Sequence, residues 1–591
     1  MPLINKASKR KRTDSHLAPE ATPETSTASM QEHIAIIVDE EGDSEDVHSE
    51  DLDYPWCKDV RVTATTKDAV QVGHCKGYLI DRARIRHHFY EEMDGPDHDV
   101  KEFGVYMFDR FGNLKLDFYQ HPVKRGTGAW GEEINKGRIL LITSVFVKKE
   151  FRGQGHGKTM VQELWNKARA TSKECMFAAT MPAISRAPHL PMPTPQETAR
   201  GEALLSLAEE FWRAVGFRRI GSSPYYGFAQ DEAHPSKSLK VAADYRRPLA
   251  LQGPKYHGNQ EWPYTREMTT AKDDHLLGIL RDRLQEVPGD HPIWVAKDNH
   301  GNNIMHIAAH RRPRSLAFLF DLDQAHHLET ARNLEGETPL EFALARVEKT
   351  RLCKEYMDMA MEASNDFDGL TYAEHECVLK LMHITNPRQH LSEQIRFGCT
   401  CAECIEGFIS PRMAEALRTQ AALIFDLLRS ESGADIEDEG DRWLRLNDHF
   451  LRYIPSPLHA RLRTSYTLRQ GYTHAFLFIR DLLGEKRFPS FHEVAERAEK
   501  QTSQHTKMFL QQGGGVASVI FTCIDKAVEE DEYLGDGSYY DCFGDTVDAL
   551  KPCRNDHEFG FVRRQYCKHE RITDGADIEL GRFVHNDFED F

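Results

Sequence analysis

The stretch ILLITSVFVKKEFRGQGHGK, residues 139–158, determines how the N-terminal part of this 591-residue chain folds. Its first nine residues, Ile139 to Val147, are mostly apolar or β-branched, which predicts the strongest strand of the chain. Three glycines follow within five positions, and the pattern after them predicts a helix from about Gly157 to Ala170. A strand, a glycine-rich turn and a helix in this order predict a mixed α/β layer structure.

Shorter patterns flank this unit on both sides. Short apolar runs predict strands at 78–80, 103–108, 114–119 and 176–179. Longer patterns predict helices at 85–93 and 197–215, and two short strands are expected to end near Tyr226. Order is expected to begin near Gly73.

The turn between the strand and the helix is suited to binding a diphosphate. Backbone N–H groups at a helix N-terminus attract phosphate, helped by the helix dipole. Glycines let the backbone approach the anion closely and adopt positive φ. The spacing fits neither the G-x-x-x-x-G-K-[ST] motif nor the G-x-G-x-x-G motif. A plain strand-to-helix turn with convenient glycines remains the alternative.

The segment resembles the signature Arg/Gln-x-x-Gly-x-Gly/Ala of the GNAT family of N-acetyltransferases, with Arg152, Gly155 and Gly157 at the three fixed positions. The stretch FWRAVGF, residues 211–217, is similar to the late helix of that family, which ends in Gly-Phe. The resemblance covers roughly residues 73–230 and implies a GNAT-like domain there. It also implies that acetyl-CoA is a co-substrate, whose acetyl group passes to a primary amine by direct attack in a ternary complex.

In that family the glycine loop binds the pyrophosphate of acetyl-CoA, and the strand before it supplies an N–H donor for the oxyanion. The positions that the resemblance assigns to the co-substrate are Phe146, Val147, Arg152, Gly153, Gln154, Gly155, His156, Gly157 and Lys158.

The residues at the proton-transfer positions depart from the pattern of the family. A lysine amine has an ordinary pKa near ~10.4, so a base or a water chain has to take its proton. Many family members carry a tyrosine general acid four residues before the Gly of Gly-Phe, where this chain has Trp212. The strand at 139–147 also lacks the glutamate base of other members. Tyr226 is the candidate catalytic residue, with Tyr225 beside it, and the alternative is that both belong to the aromatic core.

A second resemblance begins at Asp298. The stretches DNHGNNIMHIAA, residues 298–309, and NLEGETPLEFAL, residues 333–344, resemble the start of ankyrin repeats. Their glycines, Gly301 and Gly336, are 336 − 301 = 35 positions apart, close to the ~33 of that family. This resemblance implies ankyrin-like helical repeats at 271–365, with cap helices at 273–285 and 345–363, and a protein partner bound through them. Residues 231–270 are predicted to be a linker, and 366–591 a mainly helical region of unknown role.

Cys399, Cys401 and Cys404 form the pattern C-x-C-x-x-C. Three thiolates this close can hold zinc with a fourth ligand from elsewhere. The candidates for that ligand are Cys377, His383 and His390. Zinc sites usually show two clean pairs, and the later cysteines, among them Cys553, have no ligand-like spacing. The pattern therefore allows zinc but favours small buried cysteines in a helical turn.

Residues 1–55 are predicted to form a disordered tail, because they are polar and contain nine carboxylates between Asp39 and Asp53. The formal net charge of −18 argues against non-specific nucleic-acid binding. No long apolar run is present, so neither a membrane helix nor a secretory signal is expected. We expect an intracellular protein, cytoplasmic or nuclear, with reduced cysteines. A basic run at Lys9–Arg12 fits a nuclear import signal.

Two functions follow from these patterns. The first is an acetyl-CoA-dependent N-acetyltransferase whose helical part selects or scaffolds a partner. The second is an interaction protein that acts through its ankyrin-like region and keeps a catalytically weak GNAT-like fold. The glycine loop favours the first, and Trp212 keeps the second open.

Overall fold

The computed structural model describes residues 35–37, 54–85, 87–182, 195–246, 266–298, 300–356, 359–363, 367–431, 437–501 and 503–572. The tail predicted at 1–55 lies outside the described residues except at 35–37 and 54–55. Residues 247–265 of the predicted linker and residues 573–591 of the C-terminal region also lie outside them.

A seven-stranded mixed sheet forms the N-terminal domain, in the order β1-β2-β3-β4-β5-β7-β6. Its neighbours are antiparallel except for β4 and β5, which are parallel. The strands are β1 (Ala35–Ile37), β2 (Cys57–Thr65), β3 (Gln71–Ile80), β4 (Arg138–Val147), β5 (Cys175–Thr180), β6 (Arg218–Arg219) and β7 (Tyr226–Ala229). The sheet thus contains two strands upstream of Gly73, where order was expected to begin. In β2 every second side chain from Val60 to Ala64 is buried, the period of a strand with one face in a core.

Helices cover both faces of this sheet. They are α1 (Phe89–Asp94), α2 (His98–Met107), α3 (His156–Thr171), α4 (Pro195–Val215) and α5 (Pro235–Ser238). Leu140 and Ile142 of β4 share a core with residues of α3 and α4. Ile139 and Leu141 share the opposite core with residues of α1 and α2. The strand at 139–147 and the helices near 157–170 and 197–215 are therefore confirmed as elements.

The strands predicted at 103–108 and 114–119 are wrong. Residues 98–107 form α2, and Phe108 and Leu114 make only a single bridge. The buried residues of α2 are Val100, Phe103, Gly104 and Met107. Their spacing of i, i+3, i+4 and i+7 is the helical period, which outweighed the local strand propensity. The helix predicted at 85–93 begins only at Phe89.

The rest of the described chain is mainly helical, as predicted. Its helices are α6 (Arg266–Thr270), α7 (Asp273–Leu284), α8 (Ile304–Ala309), α9 (Pro313–Phe320), α10 (Pro339–Leu352), α11 (Tyr372–Leu381), α12 (Gln389–Arg396), α13 (Pro411–Glu431), α14 (Glu437–Leu446), α15 (Ser456–Thr464), α16 (Tyr466–Gly484), α17 (Phe491–Lys500), α18 (Gln504–Gln511), α19 (Val516–Glu529), α20 (Ser538–Asp548) and α21 (Phe559–His569). The cap helix predicted at 345–363 is wrong beyond Leu352, because the hairpin of β8 (Cys353–Tyr356) and β9 (Met359–Ala363) follows α10.

Residues 231–246, the first part of the predicted linker, pack against the sheet domain. The carboxylate of Asp244 is fully buried and accepts a 2.9 Å hydrogen bond from Nε of Arg213 in α4. It also accepts one from the backbone N–H of Arg219 in β6, at 3.1 Å. This segment is therefore part of the folded domain.

The loop between α2 and β4 joins the sheet domain to the helical region. Arg110 forms an ion pair with Glu558 at 2.6 Å, and both side chains are largely buried. Lys124 forms one with Glu337, also at 2.6 Å. The ring of Phe111 packs on that of Tyr533, with centroids 5.1 Å apart.

Candidate functional site

A gap opens in the sheet beside the glycine loop. Strand β4 pairs with β3 along its whole length to Val147, but with β5 only from Arg138 to Ile142. Residues 143–147 are therefore without a strand partner on the β5 side within the described residues. The register against β3 also shifts at Thr143, which is an irregularity of the β-bulge kind. A parallel pair that separates in this way leaves a slot, and one wall of the slot is the edge of β4 at residues 143–147.

The glycine loop lies at the end of that slot. Gly153 and Gly155 have φ of +78° and +88°, which L-residues with a Cβ rarely adopt. A Cβ built at either glycine would meet no atom of the described chain within 4 Å. Gly155 is the N-cap of α3, and no side chain of the described residues caps that end. The N-terminus of the helix thus lies beside open space at Gly153 and Gly155, where an anion can approach its first N–H groups.

The loop is basic on a chain that is acidic overall. Lys148, Lys149, Arg152 and Lys158 all lie within eleven positions, and the last three are exposed. Arg152 is tied to the strand, because its Nε donates to the carbonyl of Val147 at 2.9 Å. Gln154 and His156 contact each other at 3.3 Å. Positive side chains around uncapped N–H groups favour a bound diphosphate.

The remaining predicted co-substrate positions lie on the two sides of β4. Phe146 is 43% exposed and stacks on His74 of β3, with ring centroids 5.4 Å apart. Val147 points toward α3, where a Cβ on Gly157 would come within 3.7 Å of it. The same Cβ would lie 3.4 Å from the ring of Phe211 in α4. A Cβ at Gly157 would thus fit at ordinary van der Waals distances, whereas Gly153 and Gly155 shape the loop through their positive φ.

Tyr226, the predicted catalytic residue, lies in the core of the α3 and α4 side. Its side chain is fully buried. Its hydroxyl accepts a 2.7 Å hydrogen bond from Nη2 of Arg219, whose guanidinium also lies 4.5 Å from the ring centre. Burial raises the pKa of Tyr226. Trp212 is buried too and packs edge-on against Phe217 at 4.9 Å. These contacts favour the structural interpretation of Tyr226.

The opposite face of the slot carries polar groups that the sequence patterns did not identify. By register, Lys76 of β3 lies across from Ser144 of β4. Nζ of Lys76 donates to the hydroxyl of Tyr78 at 2.7 Å, and that hydroxyl donates to Asp97 at 2.8 Å. Asp97 is the N-cap of α2, so mistaking α2 for a strand hid this network. An S/T/D/N cap before an i, i+3, i+4, i+7 pattern was the signal that could have identified it.

Helix α2 places further carboxylates on this face. Burial, then the neighbouring charge of Asp97, raises the pKa of Asp99. Burial raises the pKa of Tyr225 as well, followed by the charges of Glu102 and Asp99. Tyr225 directly precedes β7, the far neighbour of β5. The acidic side of α2 therefore extends across the sheet from β3 toward β7.

The cysteine cluster is distant from this slot in the sequence. Its fourth member differs from the candidates that the sequence suggested. The thiols of Cys399, Cys401 and Cys404 converge with that of Cys553, and all four lie within 4.8 Å of one another. Cys553, for which the sequence showed no ligand-like spacing, therefore lies beside the three thiols of the C-x-C-x-x-C pattern. The three candidate fourth ligands are elsewhere: Cys377 contacts the carbonyl of Ala308, His383 pairs with Glu329, and His390 contacts Gln394.

Comparison with known proteins supports the first resemblance. Residues 118–189 match the acetyltransferase (GNAT) family model, a segment that contains β4, the glycine loop, α3 and β5. This segment of the chain is therefore similar to the GNAT acetyltransferase family. No curated protein and no solved structure matches the chain. Among the described helices, none has both the length and the apolar character needed to cross a membrane.

Proposed function

We propose that this protein is an acetyl-CoA-dependent N-acetyltransferase that acetylates a primary amine. The observation that carries the proposal is the uncapped, glycine-shaped N-terminus of α3 beside the gap between β4 and β5. The open space at Gly153 and Gly155 fits a pyrophosphate, since backbone N–H groups can approach it without a Cβ between them.

In this proposal the loop residues hold the co-substrate by its phosphates. Arg152 and Lys158 neutralise phosphate charge, and the N–H groups of the first turn of α3 donate hydrogen bonds. The unpaired edge of β4 at 143–147 receives the extended part of the molecule and donates an N–H to the developing oxyanion. Acetyl-CoA supplies a thioester whose thiolate leaves with an ordinary thiol pKa near ~8.5, so a strong general acid is not required. Trp212 in place of tyrosine is compatible with that chemistry.

The carboxylates of α2 suit a cationic acceptor. Asp97 caps the helix on the face opposite α3 by accepting a hydrogen bond from the backbone N–H of Asp99, which lies in the first turn. Lys76 and Tyr78 hold Asp97 in place. A protonated amine is attracted to this side, and a carboxylate with a raised pKa, such as that of Asp99, is a suitable proton acceptor. Direct attack in a ternary complex follows, because the two substrates approach the slot from opposite faces of the sheet.

The helical region is proposed to bind a protein partner through its ankyrin-like part. Gly301 and Gly336 both adopt positive φ in turns that precede helices α8 and α10. Nε2 of the buried His306 is 2.9 Å from the carbonyl of Glu337 in the second turn, so the two units are joined. An intracellular location fits this proposal, and the eleven cysteines whose side chains the structure describes are free thiols.

The alternative is an interaction protein with a weakly active fold, which the buried Trp212 and Tyr226 keep open. Calorimetric titration with acetyl-CoA, followed by a thiol-release assay, separates the two. The amine panel should include a lysine peptide, a peptide with a free N-terminus, a polyamine and a small amine. Binding with amine-dependent thiol release supports the acetyltransferase. Binding without turnover on any amine supports the alternative, and absence of binding contradicts the co-substrate assignment.

A further inference from the structure

We propose that Cys399, Cys401, Cys404 and Cys553 form a structural zinc site that joins two distant segments of the helical region. The first three thiols lie in the loop between α12 and α13, and the fourth lies between α20 and α21. The proposal rests on geometry, ligand chemistry and the groups that surround the sulfurs.

The distances between the sulfurs fit one tetrahedral ion. Sγ of Cys401 is 3.6 Å from Sγ of both Cys399 and Cys404, and Sγ of Cys404 is 3.5 Å from that of Cys553. Zinc–sulfur bonds of about 2.3 Å in a tetrahedron separate the sulfurs by about 3.8 Å. The remaining pairs lie within 4.8 Å, so the four thiols can take their metal-bound positions if those distances change by no more than about 1 Å.

The donor set selects the metal. All four donors are cysteine sulfur, which suits zinc and disfavours magnesium or calcium, since those ions prefer oxygen. Cys401 and Cys404 are fully buried, and no carboxylate or histidine belongs to the group. Four protein ligands complete a tetrahedral shell and leave no open position for a substrate. The site is therefore structural.

Hydrogen-bond donors point at the sulfurs, as expected around thiolates that bind a metal. The backbone N–H of Glu403 donates to Cys401 at 3.3 Å, and that of Thr400 donates to Cys553 at 3.4 Å. Nδ2 of the fully buried Asn555 contacts Sγ of Cys404 at 3.7 Å. These donors come from both segments, so each segment supports the sulfurs of the other.

A buried arginine, Arg351, holds the two segments that carry these donors. Arg351 is 1% exposed, and it donates to the carbonyl of Phe397 and to Oδ1 of Asn555, both at 2.8 Å. Its contacts hold together the residues just before Cys399 and just after Cys553. A pair of segments 553 − 404 = 149 positions apart thus meets around one point of the fold.

The test is the metal content of the full chain, purified under reducing conditions without chelators. We expect elemental mass spectrometry to find about one zinc per chain. Cys553→Ser should lose the zinc and melt at a lower temperature. Cys377→Ser is the matched control, since it removes another fully buried cysteine, one that contacts Ala308 and no member of the cluster. The control should keep its zinc.

A titration of the wild-type protein keeps the proposal testable if Cys553→Ser fails to fold. Mercurial modification of the thiols in the presence of a chromogenic zinc chelator should release one zinc as four thiols react. Absence of metal together with no uptake of added zinc or cobalt would overturn the proposal. Iron in place of zinc, disulfides among the four cysteines, or loss of zinc in Cys377→Ser would overturn it as well.

Discussion

The glycine loop and the cysteine cluster are assembled in opposite ways. The loop is one continuous stretch, residues 152–158, whose residues are largely exposed. The cluster brings together thiols from two segments, and two of the four are fully buried. A contiguous, exposed site can be damaged while the fold survives. A buried site assembled from distant segments contributes to the stability of the fold, so a substitution there should destabilise the surrounding structure as well.

The largest expected effect is a loss of stability on breaking the buried ion pair between Arg213 and Asp244, which also joins two separate segments of the chain. Asp244→Ala should lower the free energy of unfolding of the sheet domain by about 3 kcal/mol, because it removes the buried carboxylate from the guanidinium of Arg213 and leaves only the partly exposed Glu209 beside it. The measurement is urea denaturation. Acetyl-CoA affinity under native conditions should change little, since Asp244 is remote from the glycine loop in the chain.

Glu232→Ala is the control for that change. It lies in the same segment, and its ion pair with Lys237 is on the surface, with the Glu232 side chain 86% exposed. Such pairs contribute about 0–1 kcal/mol. Equal stability of the two variants would show that residues 231–246 act as a linker rather than as part of the domain.

The second-largest expected effect is a loss of acetyl-CoA affinity on changing the glycine loop. Gly155→Asp should weaken acetyl-CoA binding at least about 100-fold, because it places a carboxylate at the phosphate site and a Cβ on a residue with φ of +88°. Calorimetry gives the affinity, and thermal unfolding checks that the fold is kept.

Gly537→Asp is a matched control for the strain. Gly537 is also the N-cap of a helix, α20, with φ of +81° and ψ of 0°, against +88° and −5° for Gly155. Both substitutions should cost similar stability, and only Gly155→Asp should lower the affinity. Unchanged affinity in folded Gly155→Asp would refute the co-substrate assignment.

A pH effect tests a buried ion pair of the helical region, that of His557 with Asp531, which lies beside Phe111 of the sheet domain. Burial alone would lower the pKa of His557, but the charges of Asp531, Asp556 and Glu532 raise it to about 9. Since the unfolded value is near ~6.5, the stabilisation is complete below that pH and is lost as the pH rises through 9. We expect about 2 kcal/mol less stability at pH 9 than at pH 6.5.

Urea unfolding at the two pH values measures this difference. His557→Gln should remove most of it, because its side chain carries no charge at either pH. His569→Gln is the control, since His569 is exposed and its ion pair is with its neighbour Glu570. A wild-type stability that stays constant or rises from pH 6.5 to 9 would exclude the His557–Asp531 ion pair as a stabilising contact.

The sequence predicted the features that are local and missed those that are not. The strand at 139–147, the loop and helix α3 could be predicted, because periodicity and glycine spacing act within about 20 residues. Cys553 could not, since no spacing links it to a motif 149 positions away. The acidic face of α2 was missed for another reason: aromatic residues from Phe103 to Phe108 suggested a strand, whereas burial follows the helical period.

The smallest effect concerns Tyr226 and decides whether the catalytic prediction survives. Tyr226→Phe removes a buried hydroxyl that accepts a hydrogen bond from Arg219 at 2.7 Å, so we expect a loss of stability of about 1 kcal/mol. If Tyr226 has a structural role, kcat should stay within a few fold of wild type, because proton transfer uses other groups. A general acid contributes about 10²–10⁴-fold to the rate, so a catalytic Tyr226 would give a loss of that size in kcat with little change in melting temperature. Tyr225→Phe, at the neighbouring position on the opposite face of the sheet, is measured alongside it. A large fall in kcat for Tyr226→Phe alone, with an altered pH profile, would restore the catalytic assignment.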